Sequence, residues 1–202
     1  PDTGALEWHD LPGGDRSLYG HTMVWDAARE RMLIYGGTKN LSTGVNELWA
    51  LDLSGDDPAA ASFVEIATTV AVSGQAPAIY FHGAALMASR DWLVVAGGVR
   101  QNYLKSTEAT ETDTWALDLS ASPVPVWTKV GASTVATSRV GGARTYDPRH
   151  AAVVYALGRD KTDGNPNTPE NIQRRTSGFT CESTGPATTT PTRGTATRTR
   201  TP

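Results

Sequence analysis

The feature that most constrains this chain is an apolar run closed by paired glycines, which returns at a nearly constant interval. Arg31-Met32-Leu33-Ile34-Tyr35-Gly36-Gly37 is followed by Asp91-Trp92-Leu93-Val94-Val95-Ala96-Gly97-Gly98 and, in weaker form, by Ala151-Ala152-Val153-Val154-Tyr155-Ala156-Leu157-Gly158. The final glycines stand at 37, 98 and 158, hence 61 and then 60 residues apart. A fixed return of one supersecondary unit marks a repeat architecture, whose units bury their apolar faces chiefly against one another.

The runs sit in a recurring order of elements. Tyr19-Gly20-His21-Thr22-Met23-Val24-Trp25-Asp26 reads as a strand, and the link 27–30 is short enough for a hairpin into the first run. A polar loop, 38–45, leads to Asn46-Glu47-Leu48-Trp49-Ala50-Leu51-Asp52-Leu53, and a Gly/Asp/Pro/Ala stretch leads to Phe63-Val64-Glu65-Ile66. The second unit repeats this order. His82 stands 15 residues before Gly97, as His21 stands before Gly36, and Trp-Ala-Leu-Asp-Leu-Ser is identical at 49–54 and 115–120. Trp127 takes the place of Phe63, and a third unit runs from Gly141 to Gly158. With period two, Trp49, Leu51 and Leu53 share one face while Leu48 and Ala50 share the other, so both faces expect cover.

Gly-His, an apolar strand ending Gly-Gly, Asn/Asp-x-x-Trp with a following Leu-Asp, then a lone Trp or Phe: in that order the elements resemble the kelch repeat, over roughly residues 6–158. The structural repeat positions are His21, Gly36, Gly37 and Trp49, then His82, Gly97, Gly98, Trp115 and Trp127, then Gly158. Met87 replaces the aspartate of Trp25-Asp26, Gly142 replaces the histidine of the third unit, and Leu157 its first glycine. The resemblance implies an all-β fold, a β-propeller in which each unit is one four-stranded antiparallel blade. The expectation is an incomplete kelch-type propeller of about two full blades and part of a third, with a disordered C-terminal tail. Blade units are placed at about 19–66, 79–130 and 141–158, within a repeat region 1–160. A strand at 6–11, around Trp8, belongs to a preceding or closing blade. Rings commonly need about four to eight blades. The chain therefore reads as a piece of a longer one, or as one whose open blade edges are covered by a partner or by self-association.

Residues 161–202 lose the pattern. From Ser183 to Pro202 every residue is Ser, Thr, Gly, Pro, Ala or Arg, a composition that buries too little apolar surface to offset backbone ordering. Two readings are open: a departure from the native frame or an unrecognised splice boundary between about Arg159 and Cys181, or a genuine Thr/Pro-rich stalk. Residues 1–160 carry 12 Lys/Arg and 18 Asp/Glu, net −6, and residues 161–202 carry 6 and 3, net +3. No charged run in the repeat region argues for nucleic acid, and no window is apolar enough for a membrane span. Cys181 stands alone and closes no intrachain disulfide. Nothing assigns a cellular compartment.

Chemistry-bearing patterns are few. His9, His21, His82 and His150 are the only histidines, no two at metal-ligand spacing, and His21 with His82 reads as a structural repeat pair. No nucleophile elbow and no phosphate-cradling loop is present. The kelch resemblance extends to galactose oxidase-like copper enzymes, but no residue here matches their ligand set. No catalytic residue, metal or cofactor is assigned. Asn40-Leu41-Ser42 is a formal glycosylation sequon.

Binding has the stronger argument. In an up-and-down blade the second-to-third loop, 38–45 or 99–111, emerges on the same rim as the blade-to-blade links near 67–79 and 131–140. Lys39, Asn40, Arg100, Gln101, Asn102, Tyr103 and Lys105 offer donors, charge and an aromatic there. The leading expectation is a non-enzymatic scaffold engaging a protein or carbohydrate ligand through this rim. Two alternatives stay open: a fragment of a kelch or galactose oxidase-like enzyme whose catalytic residues lie outside the chain, or a truncated gene product without independent function.

Overall fold

The structure, a computed structural model, describes residues 11, 17–55, 57–71, 74–132, 140–150, 152–156, 158 and 177–180. β1 (Thr22–Asp26), β2 (Arg31–Tyr35), β3 (Leu48–Asp52) and β4 (Ser62–Glu65) form one antiparallel sheet in sequence order. A 3-10 turn at Pro58–Ala60 lies in the last of its connections. The second blade is built alike from β6 (Gly83–Met87), β7 (Trp92–Ala96), β10 (Asp113–Asp118) and β11 (Val126–Ala132). The registers match position for position: Trp49 lies opposite Ile34 and Trp115 opposite Val95, while Leu51 pairs with Phe63 and Leu117 with Trp127. β12 (Ala143–Asp147) and β13 (Ala152–Ala156) begin a third blade.

Side-chain alternation explains the stacking. Val24, Leu33, Tyr35, Leu48 and Ala50 point from the first blade into one cluster with Leu93, Val95, Trp115, Leu117 and Trp127 of the second. The opposite face of the second blade, with Ala85, Met87, Val94 and Ala116, packs on Val153 and Tyr146 of the third. Trp49 and Trp115 are both 8% exposed. β1, β6 and β12 lie side by side, and just ahead of them the backbone is tied across the blades. Phe81 N–H donates to Gly20 O and Gly141 N–H donates to Phe81 O, both at 2.7 Å. Gly20, Phe81 and Gly141 share left-handed backbone, φ 64°, 52° and 73°, so the repeat holds even where a phenylalanine occupies a glycine's conformation.

Three features depart from the sequence reading. The link expected at 67–79 contains β5 (Thr69–Val70), which runs parallel to β11 and adds a fifth strand to the second blade. Thr69 and Ala71 N–H groups donate to Pro125 and Trp127 carbonyls, and Val70 packs against the cluster between the first two blades, so a two-residue segment with no apolar alternation is held by distant partners. The expected loop 99–111 is partly a ribbon, β8 (Val99–Gln101) paired with β9 (Ala109–Thr110). In the tail, β14 (Ser177–Thr180) pairs antiparallel with β13, at the third-strand place of that blade. The remainder of residues 161–202, and residues 6–10 of the expected strand 6–11, lie outside the described residues.

Candidate binding rim

The rim begins where β2 and β7 end in glycine pairs. Gly36, Gly37, Gly97 and Gly98 all have positive φ, 67°, 105°, 66° and 88°. A Cβ on Gly98 would lie 2.6 Å from Tyr80 O and 2.7 Å from His82 Cβ; one on Gly37 would lie 3.2 Å from Tyr19 O and from His21 Cβ. Each pair therefore brings the end of the second strand against the segment leading into the first. Gly158, φ 96°, meets Gly142 in the same way.

Loop 38–45 is folded on itself. Buried Thr38 donates its hydroxyl to Thr43 O at 2.7 Å and accepts Leu41 N–H at 3.1 Å. Asn40 Oδ1 accepts the Ser42 and Thr43 N–H groups at 2.9 and 3.2 Å, so this oxygen is committed to the turn. Gly44 passes so close to the following link that a Cβ would lie 2.6 Å from Ala78 O.

The two loops are zipped together. Gly44 N–H donates to Arg100 O, Asn102 N–H to Ser42 O, and Tyr103 N–H to Leu41 O, at 2.9, 2.9 and 3.3 Å. Buried Tyr80 braces the seam: its hydroxyl donates to Leu41 O at 2.8 Å and accepts Tyr103 N–H at 3.1 Å. The Tyr103 ring lies tilted against Phe81, centroids 4.7 Å apart, and edge-on to Tyr80 at 6.4 Å. Two acids that the sequence reading passed over hold the second loop from within. Glu108 Oε2 accepts Leu104 N–H at 2.7 Å, and Glu111 Oε1 accepts the Thr112 and Asp113 N–H groups at 2.9 Å each. Arg100 Nε lies 3.0 Å from Glu111 Oε2, an ion pair without hydrogen-bond alignment. Acidic residues interleaved with Arg100 and Lys105 were the available signal, because a buried carboxylate needs nearby donors.

Of the expected binding residues, then, Asn40, Arg100 and Tyr103 have structural partners, Asn102 is half-buried, and Lys39, Gln101 and Lys105 are exposed. A cleft of about 560 Å3 opens farther along the same rim, lined by Asn46, Thr69, Val70 and Gln75 among others.

Behind the rim, His82 is buried, with Nε2 hydrogen-bonded to Thr22 Oγ1 at 2.8 Å and its ring edge-on to Tyr35. Burial, with Arg144 and His21 adding, holds its imidazole down to about 3, so it is neutral at ordinary pH. Tyr35 donates to Pro77 O at 2.7 Å and its phenol is pushed up by burial, then by Glu111. Burial lowers the Arg144 guanidinium to about 10. At the far ends of the blades Arg29 joins buried Asp26 to Asp91 of the next blade, with Arg31 on the other side of Asp26. The Arg29 hydrogen bonds hold the Asp91 carboxyl below the usual range. This network clamps two blades, with Arg29 also reaching Leu119 O at 3.5 Å.

Among the described residues no three His, Cys, Asp or Glu side chains converge as a metal site. No described helix is long and apolar enough to cross a membrane.

Solved structures similar to this chain include a fungal alcohol oxidase of the AA5 family in complex with copper. It matches with a TM-score of 0.57 and 19% identity, over 79% of this chain and 31% of that one. The fold is propeller-like. YjhT matches it with a TM-score of 0.51 and 16% identity, over 72% of this chain and 40% of its own. This chain thus spans well under half the length of either. No protein-family model matches it, and no curated protein does.

Proposed function

We propose that this chain is part of a kelch-type propeller acting as a non-enzymatic scaffold, which binds a protein or carbohydrate ligand on the rim formed by loops 38–45 and 99–111. The observation that carries the reading is the seam of three backbone hydrogen bonds between those loops. It makes one preformed surface from two blades, and a preformed surface loses less freedom on binding. Exposed Lys39, Gln101 and Lys105 supply its polar contacts.

The likeness to the alcohol oxidase supports a second reading, a fragment of a galactose oxidase-like enzyme with its catalytic residues outside this chain. That likeness speaks to fold, and one propeller fold hosts unrelated activities.

The test is binding of the whole chain to protein and glycan arrays, with the variant Lys39→Ala/Gln101→Ala/Lys105→Ala alongside. The expected result is a ligand whose affinity falls about tenfold or more in the variant while Tm is unchanged. A ligand bound equally by both would place recognition elsewhere.

A further inference from the structure

Two exposed leucines on this rim have no folding explanation. Leu41 and Leu104 are 40% and 54% exposed and hold left-handed backbone, φ 57° and 60°. A Cβ-bearing, branched side chain is strained there, and exposure returns little burial to offset the strain. The other left-handed residues differ: Phe81 packs on Tyr80 and Tyr103, Glu30 and Asp91 close equivalent hairpin turns, and asparagine, as at Asn102, tolerates the conformation. At both leucines the backbone is pinned, Leu41 O by Tyr80 Oη and Tyr103 N–H, and Leu104 N–H by Glu108. Strain that the surroundings enforce is a pointer to function.

Charge sharpens the pointer. Lys39, Arg100 and Lys105 are exposed around the leucines, and 47% of the Arg100 side chain stays open despite Glu111. The acids of the same loop, Glu108 and Glu111, are buried and turned inward. The outward charge here is therefore cationic, although the chain as a whole carries −3. Resting on the rim-binding reading above, we infer that the ligand is a protein segment that is acidic and seats an apolar side chain on Leu41 and Leu104. A carbohydrate would call for several open aromatic faces; Tyr103 and Phe81 are half-buried against each other, and Tyr19 beside Thr38 is the exposed ring among the described residues of this rim.

The whole chain is panned against a phage-displayed random peptide library, with a glycan array in parallel. Enriched peptides are expected to combine an aromatic or aliphatic residue with several Asp or Glu, and to bind less tightly as salt rises from about 50 to about 300 mM. Leu104→Asn and Leu41→Asn should each weaken them about tenfold with Tm held or raised, because asparagine accepts this backbone better. Lys39→Glu/Lys105→Glu should weaken them at least as much. Failure to enrich peptides, enrichment of peptides without acids, or affinities indifferent to Leu104→Asn would overturn the inference. A glycan bound through Lys39, Gln101 and Lys105 would overturn it too, yet leave the rim reading standing. Ligands insensitive to every rim variant would remove both.

Discussion

The first and second blades share a six-residue string and a strand register, and differ at matched positions. Asp26 ends β1, buried between Arg29 and Arg31; Met87 ends β6 and packs with Val94, Ala116 and Val153. His21 is exposed and His82 buried. Trp49 Nε1 donates to Glu47 at 3.1 Å, whereas Trp115 Nε1 is buried without a hydrogen-bond partner. The residue in Glu47's place is Asp113, one methylene shorter and paired with Lys129 at 2.7 Å. The second blade has neighbours on both faces, and there packing takes positions that hydrogen bonds and ion pairs occupy in the first. The repeat sets the backbone; the neighbours choose the side chains.

The two blades differ most visibly at their outer strands. Trp127 is fully buried against Tyr35, ring centroids 4.7 Å apart, while its counterpart Phe63 is half-buried. Trp127→Ala should cost about 3–5 kcal/mol, and Phe63→Ala clearly less, by urea unfolding. Equal losses would mean that the two blades are equally enclosed. Asp26→Ala should follow at about 3 kcal/mol, since it strips two arginines of a buried carboxylate, whereas Met87→Leu should cost under about 1.5 kcal/mol.

The histidines separate by pH. An unfolded His82 takes a proton below about 6.5, and the folded one only near 3, so the unfolded chain binds more protons in that window. Stability should fall as pH drops from about 6.5 towards 3, by up to about 1.4 kcal/mol per pH unit. His82→Gln should flatten that part of the stability–pH curve, and an unchanged curve would show that the imidazole titrates freely. The smallest effect is a gain. Asp113→Glu supplies an acceptor of Glu47's reach to Trp115 Nε1 and should stabilise by about 1 kcal/mol; a loss would mean that the Lys129 pair matters more.

Much of the blade architecture could be read beforehand because it is written in strictly spaced residues. Gly37, Gly98 and Gly158 mark strand ends, and Trp49 and Trp115 mark third strands. β5 and β14 carry no such mark, since Thr69–Val70 and Ser177–Thr180 are held by pairing with distant strands. The rim was legible as two loops and not as one surface. Tyr103 and Arg100 stand out as binding types, but Tyr103 meets Phe81, 22 residues earlier in the chain, and Arg100 meets Glu111, 11 residues later, contacts that only the folded loop brings about. Consequently Arg100→Ala should cost stability as well as any binding, and Lys105 is the cleaner probe.

Whether loops 38–45 and 99–111 form one preformed surface is decided by residue-resolved amide hydrogen exchange. Gly44, Asn102 and Tyr103 donate the bonds of the seam. Their amides should exchange more than about tenfold slower than the intrinsic rate and respond together, and Gly44→Ala should release all three. Exchange of these amides at the intrinsic rate, or release of Gly44 alone, would show two independent loops.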